Sequence, residues 1–472
     1  MTAILSSLGA RNASGWLTRA ARSPVGAVIA RPWIDPVGLA ALRRWYFPLS
    51  RLWAAANAAE GDADRFIDAS GAELRFTRTP SRLITGVLAR HERARTRAAA
   101  ARMAWEDAAF GDSPPSSAAL AALDLRRRVA ATAHLATRGP LWSVRQALRV
   151  PLARWDLPSP DAVDAIYGAY LDRPADLFAA GDVAPSIARS ASFERDGLRE
   201  TWLRFRSPAR ELERTPGSET AYARIVEPLD MAGVPTIVSG SGLCVESDLM
   251  VRAIDGSAVL SSAGFRVVEM VSPYHGLRAA PDRYGGEPFF ATAPLGALDL
   301  IAAQTRETAA VVAWCRAAYG GPVAVGGISM TSFVAQQIAT YCGGWPAAAR
   351  PDAILLVSHS ARMEEVVSRG SLVRALGLDR RLAAAGWDAA ALARVAPLAN
   401  PGTAPSIAPE RIVSVLGTGD ALLPYATGKE LTARWRLPAG NMFDLGPGHF
   451  AMPLALLRDR RPLERLAAIM RG

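Results

Sequence analysis

The sequence predicts an α/β fold in which a mainly parallel β-sheet is covered by helices on both faces. After about residue 195, short apolar runs alternate with helix-length segments, which is typical of parallel strands joined by crossover helices. Before about residue 190, apolar residues recur at helical spacing, and alanine and arginine dominate. We therefore expect a helical N-terminal region over residues 1–190 and the sheet domain over residues 191–472.

Eight apolar segments are predicted to form the strands of this sheet. They are Thr201–Phe205, Thr220–Val226, Thr236–Val238, Phe265–Val271, Pro322–Val325, Ala353–Val357, Arg411–Leu416 and Asn441–Leu445. Two of the connecting helices are expected at Leu300–Ala318 and Ser332–Tyr341. Because ligands bind beyond the carboxyl ends of parallel strands, functional residues are expected directly after the strands.

The composition, 50% hydrophobic and 21% charged, is that of a folded globular protein. No apolar run reaches about 18 residues, so no membrane-spanning helix is predicted. The three cysteines are far apart in sequence, which argues against a disulfide framework or a zinc site and favours reduced thiols in the cytoplasm. No secretory leader is expected, and the acid-free, arginine-bearing segment 1–34 resembles a transit peptide or a basic tail.

On the net charge of +10 alone, nucleic acid is a possible partner, but no nucleic-acid binding is expected. The arginines are interleaved with acids after residue 60, and neither zinc-finger spacing nor an RNP-like motif is present. Residues 37–53 combine aromatic and apolar side chains at helical spacing with arginines, and Pro48 is expected to kink or end the helix. Such a face packs on its own protein, on a second subunit of a homo-oligomer, or on an anionic membrane surface.

The strongest local signal is Val325–Thr331, which reads Val-Gly-Gly-Ile-Ser-Met-Thr between an apolar strand and a helix. This is the setting of a nucleophile elbow, in which Gly327 permits a sharp turn and Ser329 adopts a strained backbone conformation. Thr331 stands where the G-x-S-x-G pattern ends in glycine. We expect it to spread the local packing at a cost of about 1 kcal/mol. Thr331→Gly is then expected to leave activity within about tenfold.

A serine nucleophile requires a base and an acid, and both are found after later strands. His449 follows the last predicted strand, and Asp420 follows the strand before it, 91 residues after Ser329. The order nucleophile, acid, base is the one that an elbow on a parallel sheet requires. Taken singly, the three residues could be a turn serine, a helix N-cap and a core histidine. Their order and their positions at strand ends favour a Ser-His-Asp triad.

From about residue 195 to the C-terminus, the chain resembles the α/β-hydrolase superfamily. Within it, the chain is most similar to the group of alpha/beta hydrolase domain-containing protein eighteen. That similarity rests on Pro273–Arg278, which reads Pro-Tyr-His-Gly-Leu-Arg, and on Gly327–Met330. Thr331-Ser332 replaces the Gly-Gly of the group. The resemblance implies a serine hydrolase of lipid or other acyl esters, including phospholipids.

In the implied mechanism, His449 takes the proton of Ser329, whose oxygen attacks an ester carbonyl to form an acyl-enzyme. Asp420 fixes the histidine tautomer. Backbone N–H groups of Met330 and Ser241 are the expected oxyanion donors, because Ser239-Gly240-Ser241 occupies the superfamily's His-Gly-x position. Four further residues are candidates for lining the pocket, with structural roles as the alternative for the last three: Gly240, Tyr274, His275 and His359.

Residues 360–409 form an insert that is too long for a bare loop, and the superfamily places lids at this point. Apolar residues recur there at helical spacing, as in Leu372, Val373, Leu376, Leu378 and Leu382. An apolar lid would favour a hydrophobic acyl chain and exclude water. Because the predicted triad, the oxyanion donors and the sheet follow residue 195, the helical N-terminal region over residues 1–190 and the insert are expected to act on substrate access and not on chemistry. Removal of residues 1–60 is then expected to leave turnover of a short soluble ester within a few-fold and to reduce activity on long-chain or vesicle-borne esters much more.

Two other functions share these residues. An acyltransferase uses the same triad and differs in the acceptor that reaches the acyl-enzyme. A non-catalytic scaffold on the same fold is the other alternative, and Thr331 is the only feature that favours it. No metal-binding or nucleotide-binding motif is present, so no metal and no cofactor are expected. The expected partner is a small-molecule or lipid ester.

Overall fold

A computed structural model of the chain describes residues 31–74, 81–181, 185–195, 197–229, 233–244 and 256–472, together with residues 23, 26 and 28. The predicted basic segment lies outside these ranges over residues 1–22. The strands, in chain order, are β1 (Glu73–Leu74), β2 (Leu148–Arg149), β3 (Ala188–Arg189), β4 (Phe193–Arg195), β5 (Leu198–Arg206), β6 (Thr220–Pro228), β7 (Thr236–Gly240), β8 (Arg266–Met270), β9 (Val323–Ile328), β10 (Ala353–Val357), β11 (Ile412–Gly417) and β12 (Met442–Leu445).

The α-helices fall into three sets along the chain. The N-terminal set is α1 (Ile34–Ala41), α2 (Phe47–Ala59), α3 (Ala63–Ser70), α4 (Ser81–Phe110), α5 (Ser117–Leu135), α6 (Arg138–Gln146), α7 (Pro160–Tyr167) and α8 (Pro174–Leu177). The sheet-covering set is α9 (Gly256–Ser261), α10 (Glu287–Ala291), α11 (Leu295–Tyr319), α12 (Met330–Tyr341), α17 (Tyr425–Arg434), α18 (Met452–Arg458) and α19 (Arg461–Arg471). The predicted insert contains α13 (Met363–Arg369), α14 (Ser371–Leu376), α15 (Leu378–Ala384) and α16 (Ala389–Ala399).

The main sheet has the order β12-β11-β10-β9-β7-β8-β6-β5-β3, and β4 pairs with β5. All neighbours from β12 to β8 are parallel, whereas β6 runs antiparallel to both β8 and β5. The eight predicted strands correspond to β5–β12. Counted along the chain, they lie in the order 1-2-4-3-5-6-7-8. This is the strand order of the α/β-hydrolase fold, so the predicted fold class is confirmed.

Alternate strand residues cover the two faces of the sheet, as the period of two requires. Val238 and Val268 point to the face covered by α11 and α12, and Ile237 and Val267 point to the face covered by α18 and α19. Phe47 and Ala54 of α2 belong to the first of these cores. The N-terminal helices and the sheet therefore share buried apolar surface.

The segment 37–53 divides into a buried part and an exposed part. In α2, Phe47 and Leu52 are buried, and Arg51 forms a fully buried ion pair with Glu287 at 3.0 Å. Packing on its own protein is thus the outcome for residues 47–53. Trp45 remains 46% exposed, and the arginines beside it are also exposed. Membrane contact through that exposed part stays a prediction.

The predicted break at Pro48 is a change of helix type. The chain passes from α1 through a π-helical segment, Leu42–Tyr46, into α2, where Pro48 is the second residue. Proline has no N–H to offer the preceding turn, and a short π-helical segment is one way in which a helix adjusts to it. Among the described residues, no helix has the length and hydropathy needed to cross a membrane.

Candidate active site

Ser329 lies at a sharp turn between β9 and α12. Its backbone φ is 56° and its ψ is −119°, values that residues other than glycine rarely adopt. The turn requires glycine at position 327, because a Cβ atom there would lie 2.2 Å from the carbonyl oxygen of Thr331. The predicted strand–turn–helix arrangement is present and places Ser329 at the carboxyl end of the sheet.

The structure brings Ser329, His449 and Asp420 into one hydrogen-bonded chain. His449 Nε2 lies 2.8 Å from Ser329 Oγ, and His449 Nδ1 lies 2.7 Å from Asp420 Oδ2. With the proton assigned to Nδ1, the ring donates to the carboxylate and accepts from the hydroxyl. In this geometry a histidine can remove a serine proton.

The turn after β11 orients the Asp420 carboxylate. Its Oδ1 atom accepts hydrogen bonds from the backbone N–H groups of Leu422 and Leu423, both at 3.0 Å. Its Oδ2 atom faces His449. Asp420 is buried, so these bonds are little weakened by water. The two oxygens therefore have separate tasks, one in holding the turn and the other in holding the imidazole.

Backbone N–H groups that could bind an oxyanion lie on two segments beside Ser329. Met330 is the first residue of α12, where N–H groups have no partner within the helix. On the loop after β7, a Cβ atom on Gly242 would lie 3.8 Å from Ser329 Cβ, and Leu243 lines the same cavity as Ser329. Ser241 lines a second cavity. Its predicted role stays a prediction, and the N–H of Gly242 is a candidate that sequence reasoning missed.

Thr331 ties the elbow to the neighbouring strand. Its hydroxyl accepts from the N–H of Ile328 at 3.0 Å and lies 2.9 Å from the carbonyl oxygen of Gly240. A Cβ atom on Gly240 would approach Thr331 Cγ2 to 2.6 Å. Strands β7 and β9 stay paired up to Gly240 and Gly327. Glycine on β7 therefore makes the room that the threonine needs, and the strands are not spread apart.

A cavity of about 140 Å³ opens beside the Ser329 hydroxyl and is almost entirely apolar. Ser329, His449 and Glu364 are its polar lining residues in the described part of the chain. Helices α10 and α11 contribute one wall, through residues such as Phe290 and Leu298. The Ser329 hydroxyl therefore has apolar walls on the side of the cavity.

Among the described residues that line this cavity, half belong to the insert. Those residues come from α13–α16 and are Met363, Glu364, Val366, Val367, Leu372, Val373, Leu376, Leu378, Leu382, Leu392, Val395, Ala396 and Ala399. The apolar pattern read from the sequence thus faces the space beside Ser329. The insert is helical as expected, and its action as a lid remains a proposal.

Among the described residues, the lining of this cavity includes none of the four other predicted pocket residues. Gly240 lies against Thr331, and Tyr274 is buried with its N–H bonded to Ser218 Oγ. His275 Nδ1 donates to the carbonyl oxygen of Pro273 at 2.8 Å, and its Nε2 accepts from the N–H of Cys244 at 3.1 Å. His359 Nε2 lies 2.7 Å from Ser414 Oγ. These contacts point to structural roles.

Three buried histidines and one half-buried histidine, His134, make stability dependent on pH. Desolvation lowers the pKa from 6.5 to about 4 for His91 and His275, and to about 3 for His134 and His359. The unfolded chain therefore binds protons near pH 6 that the folded chain excludes. Stability is complete above pH 6.5 and falls as the pH drops toward 4. We expect the free energy of unfolding to fall by up to about 1.4 kcal/mol per pH unit for each histidine over this range.

Urea unfolding at pH 7.0, 6.0 and 5.0 measures this loss. His359→Gln keeps a hydrogen-bonding side chain beside Ser414 but removes one group that takes up a proton on unfolding. It is expected to reduce the slope of the unfolding free energy against pH by up to about 1.4 kcal/mol per pH unit. An unfolding free energy that is constant from pH 7.0 to 5.0 would contradict the expectation.

The N-terminal region contacts the site directly, contrary to the expectation that it acts only on access. The Asp35 carboxylate in α1 accepts the backbone N–H groups of His449 at 2.7 Å and of Phe450 at 3.0 Å. Asp35 is 3% exposed. The N-terminal region therefore lies directly against the site through α1, and removal of residues 1–60 is expected to impair turnover of short esters also. The one sequence signal is that Asp35 is the only acidic residue before Glu60.

Within the described residues, no group of His, Cys, Asp and Glu side chains is arranged to hold a metal ion. The site is built from hydroxyl, imidazole and carboxylate groups, with an apolar cavity beside them.

Comparisons with known proteins find similarity in structure but not in sequence. No family model matches the chain, and a search of the curated proteins finds no match. Acetyl xylan esterase 1 from Thermoanaerobacterium sp. JW/SL YS485 is 15% identical, with a TM-score of 0.41 over 64% of this chain and 96% of that one. An acetyl xylan esterase from Paenibacillus sp. R4 is 16% identical, with a TM-score of 0.43 over 63% and 93%.

An S-formylglutathione hydrolase from Agrobacterium tumefaciens is 14% identical, with a TM-score of 0.39 over 59% of this chain and 98% of that one. Identities and TM-scores at this level do not carry a substrate from those proteins to this chain.

Proposed function

We propose that the protein is a serine hydrolase that cleaves carboxylic esters through an acyl-enzyme. The observation that supports this most is the chain of short contacts from Ser329 Oγ through His449 to Asp420, placed at a strained elbow at the carboxyl end of the sheet. A structural serine or histidine needs neither the strained backbone nor the aligned carboxylate. Strain of this kind persists where the surrounding structure and a function require it.

In the proposed reaction, His449 Nε2 takes the proton of Ser329 as its oxygen bonds to the ester carbonyl carbon. Backbone N–H groups at Met330 and on the loop after β7 stabilise the oxyanion. The intermediate collapses when His449 returns the proton to the alcohol oxygen, and the C–O bond of the ester breaks. A water molecule then repeats these steps on the acyl-enzyme and releases the acid.

The apolar cavity supports an ester with a hydrophobic acyl group. An engineered protein cavity of roughly 150 Å³ with apolar walls holds benzene, so this one of about 140 Å³ has room for about six carbon atoms. The lipid or acyl-ester class that the sequence resemblance implies is consistent with such walls. Membership of the group of alpha/beta hydrolase domain-containing protein eighteen stays a prediction.

An acyl-chain series tests both the activity and the cavity. We expect p-nitrophenyl hexanoate to be cleaved with a kcat/KM at least about tenfold above that for the acetate, because each buried methylene contributes up to about 0.8 kcal/mol. Ala396 lines the cavity on α16, so Ala396→Phe should reduce turnover of the hexanoate far more than that of the acetate. Steady-state kinetics on the two esters give the comparison.

Ala393→Phe is the matched control, since Ala393 is exposed on the same helix. It should leave the preference for hexanoate unchanged. No hydrolysis of either ester by the folded parent protein would contradict the proposed function. Equal kcat/KM for the two esters would contradict the assignment of the cavity to the acyl group.

A further inference from the structure

We propose that Asp35 is a positioning residue, which holds the backbone of His449 in the place from which its ring can exchange a proton with Ser329. The proposal rests on the proposed function. It assigns to the N-terminal helix α1 a part in the site that the triad motif does not reveal. Asp35 acts through His449 and touches no reacting atom.

Two hydrogen bonds fix the loop at the point where the histidine enters it. Asp35 Oδ2 accepts the N–H of His449, and Oδ1 accepts the N–H of Phe450. Both oxygens of the carboxylate are thus used on consecutive residues. Bonds from ionised groups to backbone N–H groups are among the stronger hydrogen bonds in proteins.

Glycines in both site loops leave space for the N-terminal segment. A Cβ atom on Gly448, next to His449, would lie 2.3 Å from Asp35 Oδ2. A Cβ atom on Gly419, next to Asp420, would lie 2.5 Å from Pro32 Cγ. On α1 itself, a Cβ atom on Gly38 would meet the Phe450 ring at 2.7 Å. The segment 32–38 is therefore closely fitted against the loops that carry both the acid and the base.

A buried carboxylate at position 35 costs desolvation free energy, which is unfavourable unless the negative charge makes hydrogen bonds that a neutral side chain could not. Burial raises the pKa of Asp35, and the nearby charge of Asp420 raises it further. No arginine or lysine in the described ranges forms an ion pair with Asp35. The N–H groups of His449 and Phe450 offset part of the desolvation cost, as they lower that pKa. An apolar residue would fill the space at lower cost, but it would leave both N–H groups without an acceptor.

Anchoring of the loop matters because proton transfer depends steeply on position. Asp420 holds the ring of His449 through Nδ1, and Asp35 holds its main chain. A displacement of about 1 Å at a catalytic group can reduce the rate by about 100-fold. Loss of the Asp35 bonds is expected to act on kcat, since the acyl cavity is lined by other residues.

Steady-state kinetics on p-nitrophenyl hexanoate test the role of Asp35 in the full-length protein. Asp35→Ala is expected to lower kcat by about 100-fold with KM within about threefold, while fluorophosphonate labelling of Ser329 slows in parallel. Asp35→Asn, which retains one acceptor oxygen, should recover part of that loss. Asp64→Ala is the control, because Asp64 also lies in the first turn of its helix but is exposed. Its kcat and its rate of labelling should equal those of the parent.

Two readouts separate positioning from general destabilisation and from failure of the proposed function. Adding Asp35→Ala to His449→Ala should cost no further residual activity, because residues that act as one unit are not additive. Amide hydrogen exchange at residues 449–450 should be faster in Asp35→Ala than in the parent, whether or not the protein hydrolyses esters.

Three results would overturn the proposal. They are a parental kcat in Asp35→Ala, a further loss in the double variant, and unchanged exchange at residues 449–450. If instead the parent neither labels nor hydrolyses esters but exchange still responds to Asp35→Ala, the proposed function fails and the anchoring of the loop stands.

Discussion

Replacement of Ser329 by alanine is expected to abolish covalent labelling by a fluorophosphonate probe and to lower ester turnover by about 10⁶-fold. The reason is chemical, since the hydroxyl oxygen is the atom that bonds to the acyl carbon or to the phosphorus of the probe. The variant should fold, because removal of one oxygen adds no bulk at the turn. Gel fluorescence after labelling and p-nitrophenyl ester kinetics measure the two effects.

Ser143 provides a matched control on α6, where its hydroxyl is bonded to the carbonyl oxygen of Pro140 and is exposed. Ser143→Ala should react with the fluorophosphonate probe and hydrolyse p-nitrophenyl esters at the same rates as the parent. Equal labelling of Ser329→Ala and the parent would show that another residue is the nucleophile. Because Ser329 and His449 act as one unit, His449→Ala on top of Ser329→Ala should add little to the loss.

Replacement of Asp420 by asparagine is expected to lower kcat by about 10⁴-fold while KM changes little. Asp420 Oδ1 is held by the N–H groups of Leu422 and Leu423, so the amide NH₂ of the variant is directed to the Oδ2 position, facing His449. An NH₂ group there donates to Nδ1 and forces the ring proton onto Nε2. Nε2 can then no longer accept the proton of Ser329. Steady-state kinetics at pH 7.5 give the ratio.

Asp444 is the matched control, because it lies near the carboxyl end of the neighbouring strand β12 and is exposed beside Lys429. Asp444→Asn should retain activity close to that of the parent. If Asp444→Asn lost activity and Asp420→Asn kept it, the acid of the triad would have to be reassigned.

The sheet, and the three side chains that the structure brings together at its carboxyl edge, could be predicted because each is marked by a short stretch of the sequence. Buried parallel strands need continuous apolar runs, and the run Ala353–Val357 predicts β10 with the bounds that the structure has. A sharp strand-to-helix turn needs small residues such as Gly327. Ser329, Asp420 and His449 then follow from the rule that ligands meet at the carboxyl ends of strands.

Other features depend on contacts that no local pattern encodes. Thr331 looks like a defect in the elbow until Gly240, 91 residues away, is seen to make room for it and to accept its hydrogen bond. His359 follows a strand as the triad residues do, but it turns into the sheet toward Ser414. A position directly after a strand thus predicts where the backbone of a residue lies, but it does not predict the direction of the side chain.

The contact of Asp35 with His449 joins residues 414 positions apart, and this has a consequence for biosynthesis. During synthesis α1 leaves the ribosome first, and the loop that carries His449 follows only after the 414 positions that separate Asp35 from His449. Contacts of such long sequence separation form late, because the entropy of closing the intervening chain is lost before they can form. We therefore expect an elongating chain to carry a folded elbow with no competent base. Under the proposed function, hydrolytic capacity would then arise only once the loop that carries His449 has closed on α1.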